Sequence, residues 1–424
     1  MQLPRRLSLL TGATLPSGDT VDVEIIGDSV GAVVPAGSAV VSEVASVLDL
    51  TGCVLLTAGA DPHSHLDKAR SWDAIRPPMG DLLLAIESWR EYTETMTEVD
   101  VADRARAQAL AMLRLGTTAI RSHVDVLRGA DPLMNARALL RIRSDLAELM
   151  DIELVVLAGP ETPDAHIEAA LDLGMDSVGG APHLAADPSA DLQRLLALAR
   201  RRGVAVDLHT DESLDGPVTL GELARSVRGW TQNVSAGHCV RLGTLPPAAR
   251  DAIIAEVVAS DVGVIANPIT NLYLQGWDHT HGPPRGLTAA RELLDAGARF
   301  AAGADNVRDP FNPLGRGDVL ETAMLLVAAG HLTIDEAFAA VSDGARAVMR
   351  LPVAGAVSGA RADFVAIRGS SLAQVVADSP AERHVIHNGL LVASTTVTSV
   401  VAQPAGSTAS LDVPALLPVP TLER

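Results

Sequence analysis

Downstream of residue 53 the chain repeats one polarity pattern: a short apolar run ending in polar residues, then a longer stretch with apolar positions at helical spacing. The apolar runs cover 53–60, 117–123, 154–159, 177–183, 204–209, 234–238, 262–267 and 299–305. The intervening stretches predict helices over 101–115, 130–150, 192–202, 245–260 and 289–296. Eight strands alternating with helices across about 250 residues match the count and size of an α/β fold of the (β/α)8 TIM barrel type. A doubly wound open sheet is the competing fold, but no glycine-rich dinucleotide loop follows the first strand.

Both ends of the chain read differently. Short strands are expected at 7–10, 20–26 and 31–34, separated by the turn signals Pro16-Ser17-Gly18 and Pro35-Ala36-Gly37. Beyond the eighth apolar run, helices near 316–330 and 334–350 lead into strands at 359–367 and 384–392 with a hairpin-like turn. The strands of the two ends are expected to pair into one small β-sandwich. The organisation is then 1–58 and 353–424 as the two parts of that unit, with 59–352 as the barrel between them. The last stretch, carrying Pro404, Pro414, Pro418 and Pro420, is expected to be irregular.

Composition narrows the partners. Hydrophobic residues make up 48% of the chain but aromatics only 2%, so the core must be built from Ala, Val, Leu and Ile, as in buried parallel sheets covered by helices. A net charge of -19, with no Lys/Arg cluster, argues against a nucleic-acid or anionic-membrane partner. Cys53 and Cys239 are the only cysteines and neither belongs to a Cys-x-x-Cys pair, so a disulfide framework is not expected and a cytoplasmic location is. Two arginines followed by Leu-Ser-Leu-Leu open the chain, but the apolar stretch is too short for a signal peptide and reads as a first strand. No run of about 18 apolar residues predicts a membrane span. Alanine-rich helices are equally compatible with self-association and with internal packing.

The chemistry gathers at the strand ends. In Asp61-Pro62-His63-Ser64-His65-Leu66-Asp67-Lys68, positions i and i+2 of an extended segment point the same way, so His63 and His65 can present two imidazoles to one point. That pair alone is weak evidence in a chain with 12 histidines, since an ion needs three or four protein ligands. Further polar residues end the later runs: His123 and Asp125, His183, His209 with Asp211 and Glu212, His238, and Asp305. In a barrel of this kind the C-terminal strand ends form the active face.

These motifs resemble the amidohydrolase superfamily, in its cytosine deaminase-like branch, over nearly the whole chain. They are Pro-His-Ser-His-Leu-Asp, Ser-His-Val-Asp-Val at 122–126, Ala-Pro-His at 181–183, Asp-Leu-His-Thr-Asp-Glu at 207–212, Gly-His at 237–238, Ala-Asn-Pro at 266–268, Asn-Leu-Tyr-Leu-Gln-Gly at 271–276, and Asp305 through Asp309-Pro310-Phe311-Asn312-Pro313-Leu314-Gly315. The resemblance implies His63, His65, His209 and Asp305 as ligands of one divalent ion, zinc or iron. A second ion is not expected, because no lysine stands at the fourth strand end, where binuclear relatives carry a carbamylated one. Such an ion lowers the pKa of a water toward neutrality. Asp305 would take the water's proton, Glu212 would shuttle a proton to a ring nitrogen, and His238 would hydrogen-bond the developing oxygen charge.

The activity implied is hydrolytic deamination of a small amino-substituted nitrogen heterocycle, releasing ammonia. The alternative is hydrolysis of an N-alkylamino triazine-like ring or a cyclic amide at the same centre, and the third reading is a silent relative that binds a ligand. The branch implies Glu161, Leu82, Asn306, Phe311 and Gln275 as substrate contacts. Several depart from the branch's pattern. Glu161 stands in Gly159-Pro160-Glu161-Thr162, where the branch has a glutamine that reads an amide edge, so a substrate edge rich in N–H donors is expected. Asn306 replaces a second aspartate and Phe311 a tryptophan, which makes cytosine itself doubtful as the substrate. His123, Asp125 and His183 have either a structural or a supporting role, and Lys68 with Asp67 reads as a local salt bridge. Arg285 and Arg308 read as surface charges.

Overall fold

A computed structural model describes residues 3–39 and 46–400, so the proline-bearing stretch at the end lies outside the described residues. Eight parallel strands, Gly59–Ser64, Thr117–Asp125, Asp151–Ala158, Ser177–Gly180, Ala205–Thr210, Val234–His238, Gly263–Ala266 and Phe300–Ala302, pair in sequence order. The ring closes between its first and last members: Ser64 and Asp305 form a parallel bridge, and the Asp305 N–H donates to the His63 carbonyl at 2.9 Å. Helices such as Glu98–Arg114, Met134–Asp145 and Pro188–Arg202 cover the outside and bury aliphatic faces against the strands.

Several boundaries differ from the sequence expectation, each for a local reason. The apolar run 53–60 is divided: Cys53–Thr57 joins a second sheet and Gly59–Ser64 starts the barrel. The chain passes Val319 closely at that transfer, where a Cβ on Gly59 would lie 2.6 Å from the valine Cγ1. The eighth strand is only Phe300–Ala302, because at Gly303 the chain leaves the sheet and passes 2.6 Å, measured from an ideal Cβ position, from the His63 carbonyl. The expected helix 334–350 is two helices, Ile334–Ala340 and Asp343–Met349, the first started by a Thr333/Glu336 capping box. Helix Leu82–Thr93, capped by Asp81, was not foreseen and follows the first barrel strand.

The second sheet uses both chain ends. Its order is Arg5–Arg6, Leu390–Thr395, Arg383–His387, Phe364–Arg368, Cys53–Thr57, Leu9–Thr14, Thr20–Ile26 and Ser29–Pro35, with Val47–Asp49 beside Leu9–Thr14. The strand expected at 384–392 is broken by Asn388-Gly389, both at positive φ, into a tight hairpin. The expected sandwich is thus one hydrogen-bonded sheet of nine strands with its own core of Leu10, Val23, Leu55, Phe364 and Ile386. Among the described residues no helix is long and apolar enough to cross a membrane.

Candidate active site

Five buried side chains from four strand ends converge at the C-terminal mouth of the barrel. His63 and His65 come from the end of the first strand, His209 from the fifth, His238 from the sixth and Asp305 from just beyond the eighth. His65 Nε2 lies 3.1 Å from His209 Nε2 and 3.2 Å from Asp305 Oδ1, and His63 Nε2 is 3.7 Å from the same oxygen. His63, His65 and His209 are close enough to share one ion, as are His63, His238 and Asp305. Both nitrogens of His63 and both carboxylate oxygens of Asp305 are buried without a hydrogen-bond partner, which is costly unless something else satisfies them. Two nitrogens bound tetrahedrally at about 2.0–2.1 Å stand about 3.3 Å apart, close to the spacings here. The donor set therefore fits a divalent metal ion.

Electrostatics agree with that fit. Burial first, then the neighbouring imidazoles, hold His63 and His209 well below the ordinary histidine range. Burial and then the Lys68 charge bring His65 down to about 3. All three stay neutral, with lone pairs available to a cation. Burial pushes Asp305 up to about 7 against the pull of His238, a cost that a bound cation would offset. Asp211, His238 and Asp305 all have left-handed backbone, with φ of 51°, 67° and 55°. Strain of this kind at strand ends is typical of functional sites.

Glu212 stands beside this cluster. Its Oε1 is 3.7 Å from His238 Nδ1 and its Oε2 is 3.7 Å from His183 Nε2. Burial works to raise Glu212, but His238 and His183 outweigh it and hold the carboxyl at about 2. His183 Nδ1 lies 3.2 Å from the His209 carbonyl oxygen, so this histidine bridges the fifth strand and Glu212. His123 sits on the inner side of the cluster, its ring centroid 4.2 Å from that of His63.

The expected substrate contacts divide. Asn306 is buried near Asp305, and its amide nitrogen donates to Asp309 Oδ2 at 2.8 Å. Phe311 is half-buried and packs on the barrel core, its N–H donating to Asp309 Oδ1 at 2.9 Å. Gln275 donates to the Glu212 backbone carbonyl at 2.8 Å and so braces the loop after the fifth strand. Leu82 is half-buried at the start of helix Leu82–Thr93. Glu161 is not brought to the cluster: its side chain is 78% exposed and ion-paired with Arg128. The expectation that Glu161 reads the substrate edge is corrected accordingly, because the loop after the third strand carries it out into water.

Asn271, which the sequence offers with Gln275 as a pocket or loop-capping residue, has its Nδ2 3.1 Å from His238 Nδ1. Two groups escaped the sequence reading. Arg121, fully buried in the second strand, lies 2.8 Å from both Asp207 Oδ2 and Ser235 Oγ and 3.0 Å from Glu153 Oε2, with no local cue in the sequence. The second is a network around Lys68 and Asp125, where a local Asp67–Lys68 bridge was expected.

Comparison with known proteins places the chain in a family. The family model described as "Amidohydrolase family" matches residues 90–397. Pterin deaminase from Rhizobium rhizogenes is 28% identical over 403 residues, covering 90% of this chain and 91% of the relative. The crystal structure of N-isopropylammelide isopropylaminohydrolase from Burkholderia multivorans is 28% identical with a TM-score of 0.79, covering 91% of this chain and 98% of that one. The fold is also that of 5-methylcytosine deaminase from Klebsiella pneumoniae, at 24% identity and a TM-score of 0.83, covering 93% of this chain and 100% of that one.

Proposed function

Since this chain belongs to the amidohydrolase family and is a hydrolytic enzyme of carbon–nitrogen bonds, we propose that it deaminates a small amino-substituted nitrogen heterocycle. The observation that carries this reading is the Glu212–His238 pair, separated by 3.7 Å, standing against the buried cluster of His63, His65, His209 and Asp305. Those four side chains would hold one zinc or iron ion, which supplies an acidified water at neutral pH. The reaction adds water across the ring carbon–nitrogen double bond that bears the amino group, and expels ammonia to leave a carbonyl. The water supplies both protons: Glu212 would take one and pass it to the ring nitrogen, and Asp305 would take the other and give it up to the amino group as the bond to the exocyclic nitrogen breaks. His238 donates a hydrogen bond to the oxygen on which charge develops.

The pterin deaminase relative, similar along 90% of this chain, makes a pterin-like ring the first substrate to try. A second reading, removal of an alkylamine from an N-alkylamino ring, draws on the 28% identity to the isopropylaminohydrolase. The test is ammonia release from pterin, 5-methylcytosine and N-isopropylammelide by metal-analysed protein, with Glu212→Gln as control. Ammonia that vanishes in the control while the metal is retained supports deamination. Isopropylamine alone favours the second reading, and no amine from any ring overturns both.

A further inference from the structure

Lys68 is the only lysine among the 33 lysines and arginines of the chain, and it is buried beside His65. Its Nζ is 2.8 Å from Asp125 Oδ1, 3.4 Å from each Asp67 oxygen and 3.5 Å from His65 Nδ1. The Trp89 ring centroid is 5.5 Å away. A compact ammonium sits between these groups. Asp125 and Asp67 each take one ammonium hydrogen. The third has only His65 Nδ1, at the limit of a hydrogen bond.

Asp125 is equally incomplete. Its Oδ2 accepts from Trp89 Nε1 at 2.7 Å and its Oδ1 from Lys68, leaving a lone pair on each oxygen of a side chain that is 19% exposed. Asp67, by contrast, is spent, since its Oδ2 also accepts from the Asp125 N–H at 3.0 Å and from Asn135 Nδ2 at 3.1 Å. A spare donor and a spare acceptor therefore stand side by side next to His65.

Taking the proposed deamination as premise, we infer that Lys68 and Asp125 recognise a lactam edge of the substrate, the ammonium donating to the ring carbonyl and the carboxylate accepting the adjacent N–H. The ligand class is an amino-substituted ring with –C(=O)–NH– in the ring. Pterin and 5-methylcytosine have that edge, and 4-aminopyrimidine lacks it.

A single lysine makes the test clean. Zinc-loaded Glu212→Gln protein grown on [ε-13C]lysine should give one side-chain resonance, followed while pterin, 5-methylcytosine or 4-aminopyrimidine is added and binding is read by calorimetry. The resonance should move with a bound lactam ring and stay within experimental error for 4-aminopyrimidine. Lys68→Met should lower kcat/KM for the lactam substrate by about 10–100-fold, the loss of a hydrogen bond to a charged group. A lactam ring that binds without moving the resonance overturns the assignment, because a purely structural clamp would behave that way. If no ring binds, the deamination premise fails and this assignment with it. The resonance of the Glu212→Gln protein, which keeps Lys68, decides the question even where Lys68→Met fails to fold.

Discussion

Asn271 and His238 are 33 residues apart in sequence and 3.1 Å apart in space, amide nitrogen to Nδ1. The contact is made from helix Pro268–Leu274, which follows the seventh barrel strand, to the end of the sixth. Glu212 Oε1 faces the same nitrogen at 3.7 Å, too far for a hydrogen bond, so the asparagine amide is the nearer partner of that nitrogen. The other ring nitrogen, Nε2, faces Asp305 Oδ2 at 3.9 Å.

Replacing Asn271 by Asp keeps the shape but offers only an acceptor, which can pair only with an Nδ1–H and adds a charge beside the ring. The expected outcome is a fall in kcat of about 100-fold, with KM and thermal midpoint nearly unchanged. Steady-state kinetics and a melting curve check it. Wild-type kcat in this variant would show that the contact only packs the helix.

His209→Ala removes one of the converging nitrogens from a site that needs three or four protein ligands. Elemental analysis should find bound zinc or iron falling from about one per chain to a small fraction, with ammonia release lost in parallel. Full metal content in the variant would place the ion elsewhere.

Gly237 precedes His238, and a Cβ there would lie 2.6 Å from His63 Cε1 and 2.7 Å from its Nδ1. The imidazole cannot yield without leaving the cluster. Gly237→Ala is therefore expected to cost about 1–3 kcal/mol of stability and to weaken metal binding together with it, as denaturant unfolding with and without added zinc would reveal. An unchanged midpoint and metal affinity would mean that the sixth strand shifts freely.

Far from the site, Asp363 is buried beside His387, Arg361 and Arg346, at 3.3, 2.8 and 3.0 Å. Burial works to raise its pKa, but His387 and then Arg361 hold it at about 2. A depressed carboxyl contributes stability above its unfolded pKa, and that stability is lost as pH falls through the folded value. The loss should amount to about 2 kcal/mol between about pH 4 and pH 2. Urea unfolding of wild type and Asp363→Asn across that window should show the slope in the first and its loss in the second.

The local features of this chain were legible before any coordinates. Strand and helix periodicity marks the alternating elements, and the i, i+2 spacing of His63 and His65 is a property of one extended segment. Polar residues at the ends of apolar runs identify the mouth of a barrel, because strand polarity and strand end are both written in short windows of sequence. The motif around Asp305 is equally local.

Everything that depends on two distant strand ends meeting was decided by the tertiary structure. The Asn271–His238 contact, the buried Arg121 between Glu153 and Asp207, and the Lys68–Asp125 pair next to His65 all join segments tens of residues apart. The division of the run 53–60 between two sheets comes with a close approach to Val319, and Glu161 ends in water beside Arg128. Periodicity records which face of an element is apolar, but burial of a charge depends on partners that arrive from elsewhere in the chain. Sequence alone therefore determined which residue types line the strand ends, and closure of the barrel decided which of them touch.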